Sequence, residues 1–151
     1  MFVRFELHWQ QMKIKVKRID SDAKIPTYAH PGDAGMDLYS LEERIILPGE
    51  RVALRTGIAM EIPDGYAGLV WDKSGVSTKR GIKVIAGVID SGYIGEIGIG
   101  MTNIGNEEQV FKKGDKVAQM LIQKIERAEF EEVENLEETS RGSAGFGSTG
   151  K

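Results

Sequence analysis

Asp90 and Tyr93 stand three residues apart in Gly87-Val88-Ile89-Asp90-Ser91-Gly92-Tyr93-Ile94-Gly95-Glu96. Asp90-Ser91-Gly92 has the composition of a tight turn, so the segment reads as a β-hairpin. A hairpin would hold one carboxylate and one aromatic ring on a rigid arm, and its backbone could hydrogen-bond the edge of a flat base. A turn-forming aspartate and a packing tyrosine account for the same residues. Lys73-Ser74-Gly75 joins a cation, a hydroxyl and a permissive backbone, the makings of a small phosphate nest. Ordinary loops use such triplets too. Asp37 follows a glycine in Ala34-Gly35-Met36-Asp37-Leu38-Tyr39, where it caps a turn or serves a site. Gln119 interrupts the apolar run Val117 to Ile122; it faces solvent or meets a specific partner.

Residues Arg141 to Gly150 carry four glycines, two serines, a threonine, one arginine and one phenylalanine. That mixture cannot build a core. It can wrap a polyphosphate, with N–H groups and hydroxyls turned inward and the ring stacked on a base, as a lid closing over a nucleotide. A solvated tail is the plainer alternative. Gly145 to Gly150 also fits the dinucleotide fingerprint, and Gly145 to Lys151 the start of a P-loop. Both need a helix after the turn, and the sequence supplies none.

The elements that must position these groups are short. Nineteen glycines punctuate 151 residues, well above the usual ~7%. Between them lie β-branched runs: 14–19, 43–47, 52–62 broken near Gly57, 66–71, 82–89, 96–102, 109–111, 116–126 and 128–133. Many short strands separated by turn signals predict an all-β sandwich or barrel. Val76 to Arg80 has room for one helical turn. The division expected is an N-terminal extension over 1–11, a β domain over 12–134, and a linker with a lid over 135–151.

Composition narrows the function classes. The length suits one domain with a real core. With no cysteine, disulfides and thiolate metal sites are excluded, and a cytoplasmic setting is expected. A net charge of −3 argues against broad nucleic-acid binding. No apolar run reaches membrane length, and Met1 to Gln11 lacks the apolar stretch of a signal peptide.

No piece decides the function alone; their order and spacing do. Ala34 to Ser40, Lys73 to Gly75, Gly87 to Gly95, Gly114 to Met120 and Arg141 to Thr149 together resemble the five motifs of the trimeric dUTPases, over Met12 to Gly150. The resemblance implies a distorted jelly roll or β-barrel with a flexible tail, a homotrimer with sites between subunits, and Mg²⁺-dependent hydrolysis of dUTP to dUMP and pyrophosphate. It implies Asp90 as general base for water attack at the α-phosphorus, with Asp37 and Gln119 supporting it. Lys73, Ser74 and Gly75 would hold phosphates. Val84, Gly87, Val88, Ile89 and Gly98 would read the uracil edge, and Tyr93 would pack under the deoxyribose and leave no room for a 2′-OH. Phe146 would stack on uracil, with Arg141, Gly147, Ser148 and Thr149 closing the lid. Mg²⁺ would be held by substrate phosphates and water, with no direct protein ligand.

The chain departs from the family pattern at Asp72-Lys73, where Pro-Arg is usual. Lysine keeps the charge and loses the bidentate fork. Val84 and Ile94 replace polar residues of some relatives. Two rival readings are a dCTP deaminase of the same fold, for which Glu96 is the one glutamate near the hairpin, and a jelly-roll binding module without chemistry.

Overall fold

A computed structural model describes residues 12–143. The extension over 1–11 lies outside them, as do Phe146, Gly147, Ser148 and Thr149 of the expected lid. The described residues form eleven strands and one helix. The all-β expectation holds, as a distorted jelly roll rather than a closed barrel: four separate sheets share one core.

The first large sheet orders β2 (Met36–Tyr39), β11 (Lys116–Lys124), β6 (Tyr66–Trp71) and β8 (Val88–Ile89). The second orders β4 (Arg51–Arg55), β9 (Gly98–Asn103) and β7 (Ile82–Val84). Two antiparallel pairs complete the fold: β1 (Lys15–Arg18) with β5 (Ile58–Glu61), and β3 (Arg44–Ile46) with β10 (Gln109–Phe111). Side chains alternate across each strand. Leu38, Met120 and Val70 point inward from the first sheet, and Leu54, Ile99, Met101 and Ile82 from the second, into one buried cluster closed by Phe111. Each such burial contributes roughly 1.5–3 kcal/mol. Buried Asn103 binds the layers without leaving an orphan group: its Nδ2 donates to Ile46 O (2.9 Å) and Glu107 O (2.7 Å), and its Oδ1 accepts from Gly105 N (2.9 Å).

The run 52–62 divides into β4 and β5 at Thr56-Gly57, as its glycine indicates. Three expectations need correction. The strand expected over 128–133 is absent; the stretch is exposed, and Phe130 is 94% accessible. Among the described residues no neighbouring strand offers it a partner. Strand β2 was not foreseen around Asp37, because the preceding glycine masks a segment of four strand residues. The Gly87–Glu96 segment turns at Asp90, with Tyr93 N donating to Asp90 O (3.1 Å), yet it is not a paired hairpin. Strand β8 pairs with β6, and β9 pairs with β4 and β7. The segment instead carries the chain from one large sheet to the other.

Helix α1 (Ser74–Arg80) exceeds the single turn expected. It ends at Gly81 in the left-handed conformation, with Lys79 and Arg80 in the last turn, where they complement its dipole. No described helix is long and apolar enough to cross a membrane.

Candidate active site

Asp37, Gln119 and Trp71 are register partners across β2, β11 and β6, so they occupy one row on the outer face of the first sheet. Lys116 pairs with Tyr39, two residues from Asp37, and so reaches the carboxylate diagonally across the strands. Its Nζ lies 2.7 Å from Asp37 Oδ2. Lys73 Nζ hydrogen-bonds Asp37 Oδ1. The Asp37 side chain is only 3% exposed. Burial pushes its pKa up, but the bond and charge of Lys116 and of Lys73 outweigh burial and hold the carboxyl below its ordinary range. Lys116 is raised in return, first by its bond to Asp37. Asp37 is therefore a fixed anion rather than a proton acceptor.

Gln119 does not face solvent freely. Its Nε2 donates to Asp72 O at 2.8 Å, tying the end of β6 to β11 just before Lys73. Lys73 is the N-cap of α1 and offers no side-chain cap. Val76 N donates to Lys73 O at 2.9 Å, and the N–H groups of Ser74 and Gly75 make no hydrogen bond with the described residues. Asp72, which the sequence sets next to the phosphate nest as an added negative charge, is neutralised. Its Oδ2 pairs with Lys83, and its Oδ1 accepts from Val84 N at 2.6 Å. It anchors β7 to β6. The Val84 N–H is thus engaged by Asp72 and is not available to a base.

The second cluster forms where the arm crosses between sheets. Among the described residues β8 is an edge strand, and at Gly98 strand β9 has no neighbour on the β7 side. These unpaired backbone edges border a cavity of about 220 Å³ lined by Val88, Ile89, Asp90, Tyr93, Glu96 and Gly98. A flat heterocycle with donors and acceptors on its rim can bridge such edges as a strand would. Gly87 makes the crossing possible. Its carbonyl accepts from Val70 N at 2.7 Å, and a Cβ there would meet Val70 O at 2.4 Å.

Asp90 is exposed, and its carboxylate makes no hydrogen bond or ion pair with the described residues. Tyr93 is held: its hydroxyl donates to Glu96 O at 2.8 Å, and its ring lies where a Cβ on Gly95 would be, 2.6 Å from the hydroxyl oxygen. Glu96 is engaged at both oxygens. Oε1 accepts from Gly57 N (2.9 Å), and Oε2 accepts from Arg55 Nη2 (3.2 Å) and Nε (3.3 Å).

The structure thus gathers Asp37, Gln119, Lys73, Ser74 and Gly75 in one cluster, and Val88, Ile89, Asp90, Tyr93 and Gly98 in another. No hydrogen bond or ion pair among the described residues joins the two. Arg141 lies in an exposed turn, where Gly142 N donates to Thr139 O at 3.0 Å. Sequence reasoning missed Lys116, although it stands three residues before Gln119 on the same strand. It also missed Arg55, whose role depends on a partner 41 residues away.

An antiparallel jelly roll that sets an unpartnered acid, a clamped ring and a lysine beside a Ser-Gly turn on its surface has the makings of a nucleotide-handling β domain. A dUTPase family model matches residues 21–150, and the chain belongs to the dUTPase family. It is 48% identical over 141 residues to the deoxyuridine 5'-triphosphate nucleotidohydrolase of Clostridium kluyveri, covering 92% of this chain and 99% of that one. It is 44% identical over 142 residues to that of Thermobifida fusca, covering 92% and 79%. Among solved structures, a Staphylococcus bacteriophage 80alpha dUTPase with dUpNHpp superposes with TM-score 0.85 at 31% identity, covering 93% of this chain and all of that one (100%). The phage phi11 dUTPase of S. aureus, described with a structural Mg(II) ion, gives TM-score 0.77 at 29% identity over 82% of this chain and 98% of that one.

Proposed function

We propose that this protein hydrolyses dUTP to dUMP and pyrophosphate. The observation that carries the assignment is the cavity between the free edges of β8 and β9, with unpaired Asp90 and clamped Tyr93 at its rim. Uracil bonds to the two backbone edges, and a tight fit at its 5-position rejects the thymine methyl. A wrong base leaves buried polar groups unpaired, which is a strong basis for discrimination. The Tyr93 ring sits under the sugar and excludes a 2′-OH. Lys73 and the first-turn N–H groups of α1 take the phosphates. Asp90 accepts a proton from the water that attacks the α-phosphorus in line with the leaving pyrophosphate. Gln119 and Asp37 keep the phosphate-side loop in place.

A Mg²⁺ would be held by triphosphate oxygens and water, since this ion keeps its waters and takes phosphate oxygens as ligands. It would neutralise charge on the phosphates. Arg141, Phe146, Gly147, Ser148 and Thr149 act as a lid. The two clusters are completed between subunits of a homotrimer, for which the exposed apolar side chains of Trp71, Val88, Ile94, Phe130 and Leu136 supply contact surface.

The deaminase reading requires a glutamate free to move protons at the base. Glu96 is occupied by Arg55 and Gly57 and cannot serve. Pyrophosphate release from dUTP, dCTP, dTTP and UTP with Mg²⁺, with ammonia followed in the dCTP arm, tests the assignment. Turnover confined to dUTP is expected; stoichiometric ammonia from dCTP would overturn it.

A further inference from the structure

We propose that Lys116 is a positioning residue for the triphosphate site: it holds the Asp37 carboxylate while Lys73 leaves it to meet a phosphate. The inference rests on the dUTP reading given above.

A buried carboxylate with one cation cannot release that cation cheaply, because the charge left behind has neither water nor partner. Asp37 has two cations, one on each oxygen. One of them is therefore free to exchange. The positions of the lysines decide which. Lys73 stands beside Ser74 and Gly75, the phosphate-binding segment of the reading above. Lys116 belongs to a paired strand, in register with Tyr39. The two contacts are independent: Lys73 bonds Oδ1, and Lys116 Nζ lies 2.7 Å from Oδ2. Lys116 therefore keeps the carboxylate partnered when Lys73 departs. Gln119 cannot substitute, since its amide already donates to Asp72 O.

Lysine at position 73 suits the exchange. An ammonium on a flexible stem moves between two anions more easily than a guanidinium locked by two parallel bonds. The usual arginine would hold a phosphate more firmly, and would also hold Asp37 more firmly. Without Lys116, Asp37 would compete with the substrate for Lys73.

Binding of the non-hydrolysable analogue dUpNHpp to the wild type, Lys116→Met and the double variant Lys116→Met with Asp37→Asn tests this. The single variant is expected to bind about tenfold more weakly, because Lys73 becomes the sole partner of a buried carboxylate. The double variant removes that competing charge and should bind more tightly than the single variant, the non-additivity expected of groups sharing one network. In turnover, Lys116→Met should raise KM for dUTP with little change in kcat. Unchanged affinity in the single variant, or no recovery in the double, would overturn the proposal. A crystal structure of the wild type with dUpNHpp gives a readout independent of variant folding. Lys73 Nζ on a phosphate with Lys116 Nζ still on Asp37 supports it, and Lys73 remaining on Asp37 refutes it. Failure of the dUTP assignment would show separately, as absent turnover by the wild type.

Discussion

The two aspartates of the site are the same residue type in opposite circumstances. Asp37 is buried between two ammonium groups that keep it charged. Asp90 stands exposed on a turn with no partner for its carboxylate among the described residues. A general base needs a free lone pair, which the unpartnered Asp90 offers and the doubly paired Asp37 does not, so Asp90 is the proposed base and Asp37 the fixed anion. Replacing Asp90 with asparagine keeps shape and removes basicity. Pyrophosphate release should fall about 10²–10⁴-fold, while calorimetry with dUpNHpp should show affinity close to that of the wild type; normal turnover would displace Asp90 from the role. Both aspartates were legible as candidates because each follows a recognisable turn or glycine. Their division of labour was not, because Lys116 and Lys73 reach Asp37 across strand pairings that sequence spacing does not display.

At the scale of elements, the arm between β7 and β9 turns a sandwich edge into a binding cavity. It leaves the second sheet at β7, joins the first through β8 and returns to the second at β9. Gly87 lies at the change of sheet, where the backbone of Val70 approaches too closely for a side chain. Gly87→Ala should push β8 off β6 and open the cavity. We expect a loss of about 1–3 kcal/mol in stability, as for other overpacked sites, seen in urea unfolding, together with a raised KM for dUTP. Most strands were legible from β-branched runs and turn residues. The Asp90 segment was misread as a paired hairpin because a turn signal is local, whereas the choice of strand partner is made by the whole sheet. The 128–133 stretch shows the converse: alternation without an available neighbour gives no strand.

The whole molecule keeps its core and its proposed lid apart. All residues of the buried cluster lie between Ala23 and Met120, and the chain from Gln123 to Ser143 is exposed throughout. Deleting Ser140 to Lys151 should therefore leave the thermal unfolding transition within a few degrees of the full chain, since removed surface groups change stability little, and should abolish most turnover of dUTP. A truncated protein that no longer unfolds cooperatively would contradict the separation. The lid chemistry was legible from the glycine, serine and arginine content of the tail. Its docking place came only from the family resemblance, because a site of the proposed kind, shared between subunits, leaves no mark on one chain's spacing. In the proposed reaction, water assisted by Asp90 attacks dUTP at the α-phosphorus. Turnover of dUTP in oxygen-18 water, with the products analysed by mass spectrometry, tests that claim most directly. The label is predicted in dUMP with unlabelled pyrophosphate; label in pyrophosphate, or no turnover at all, would contradict it.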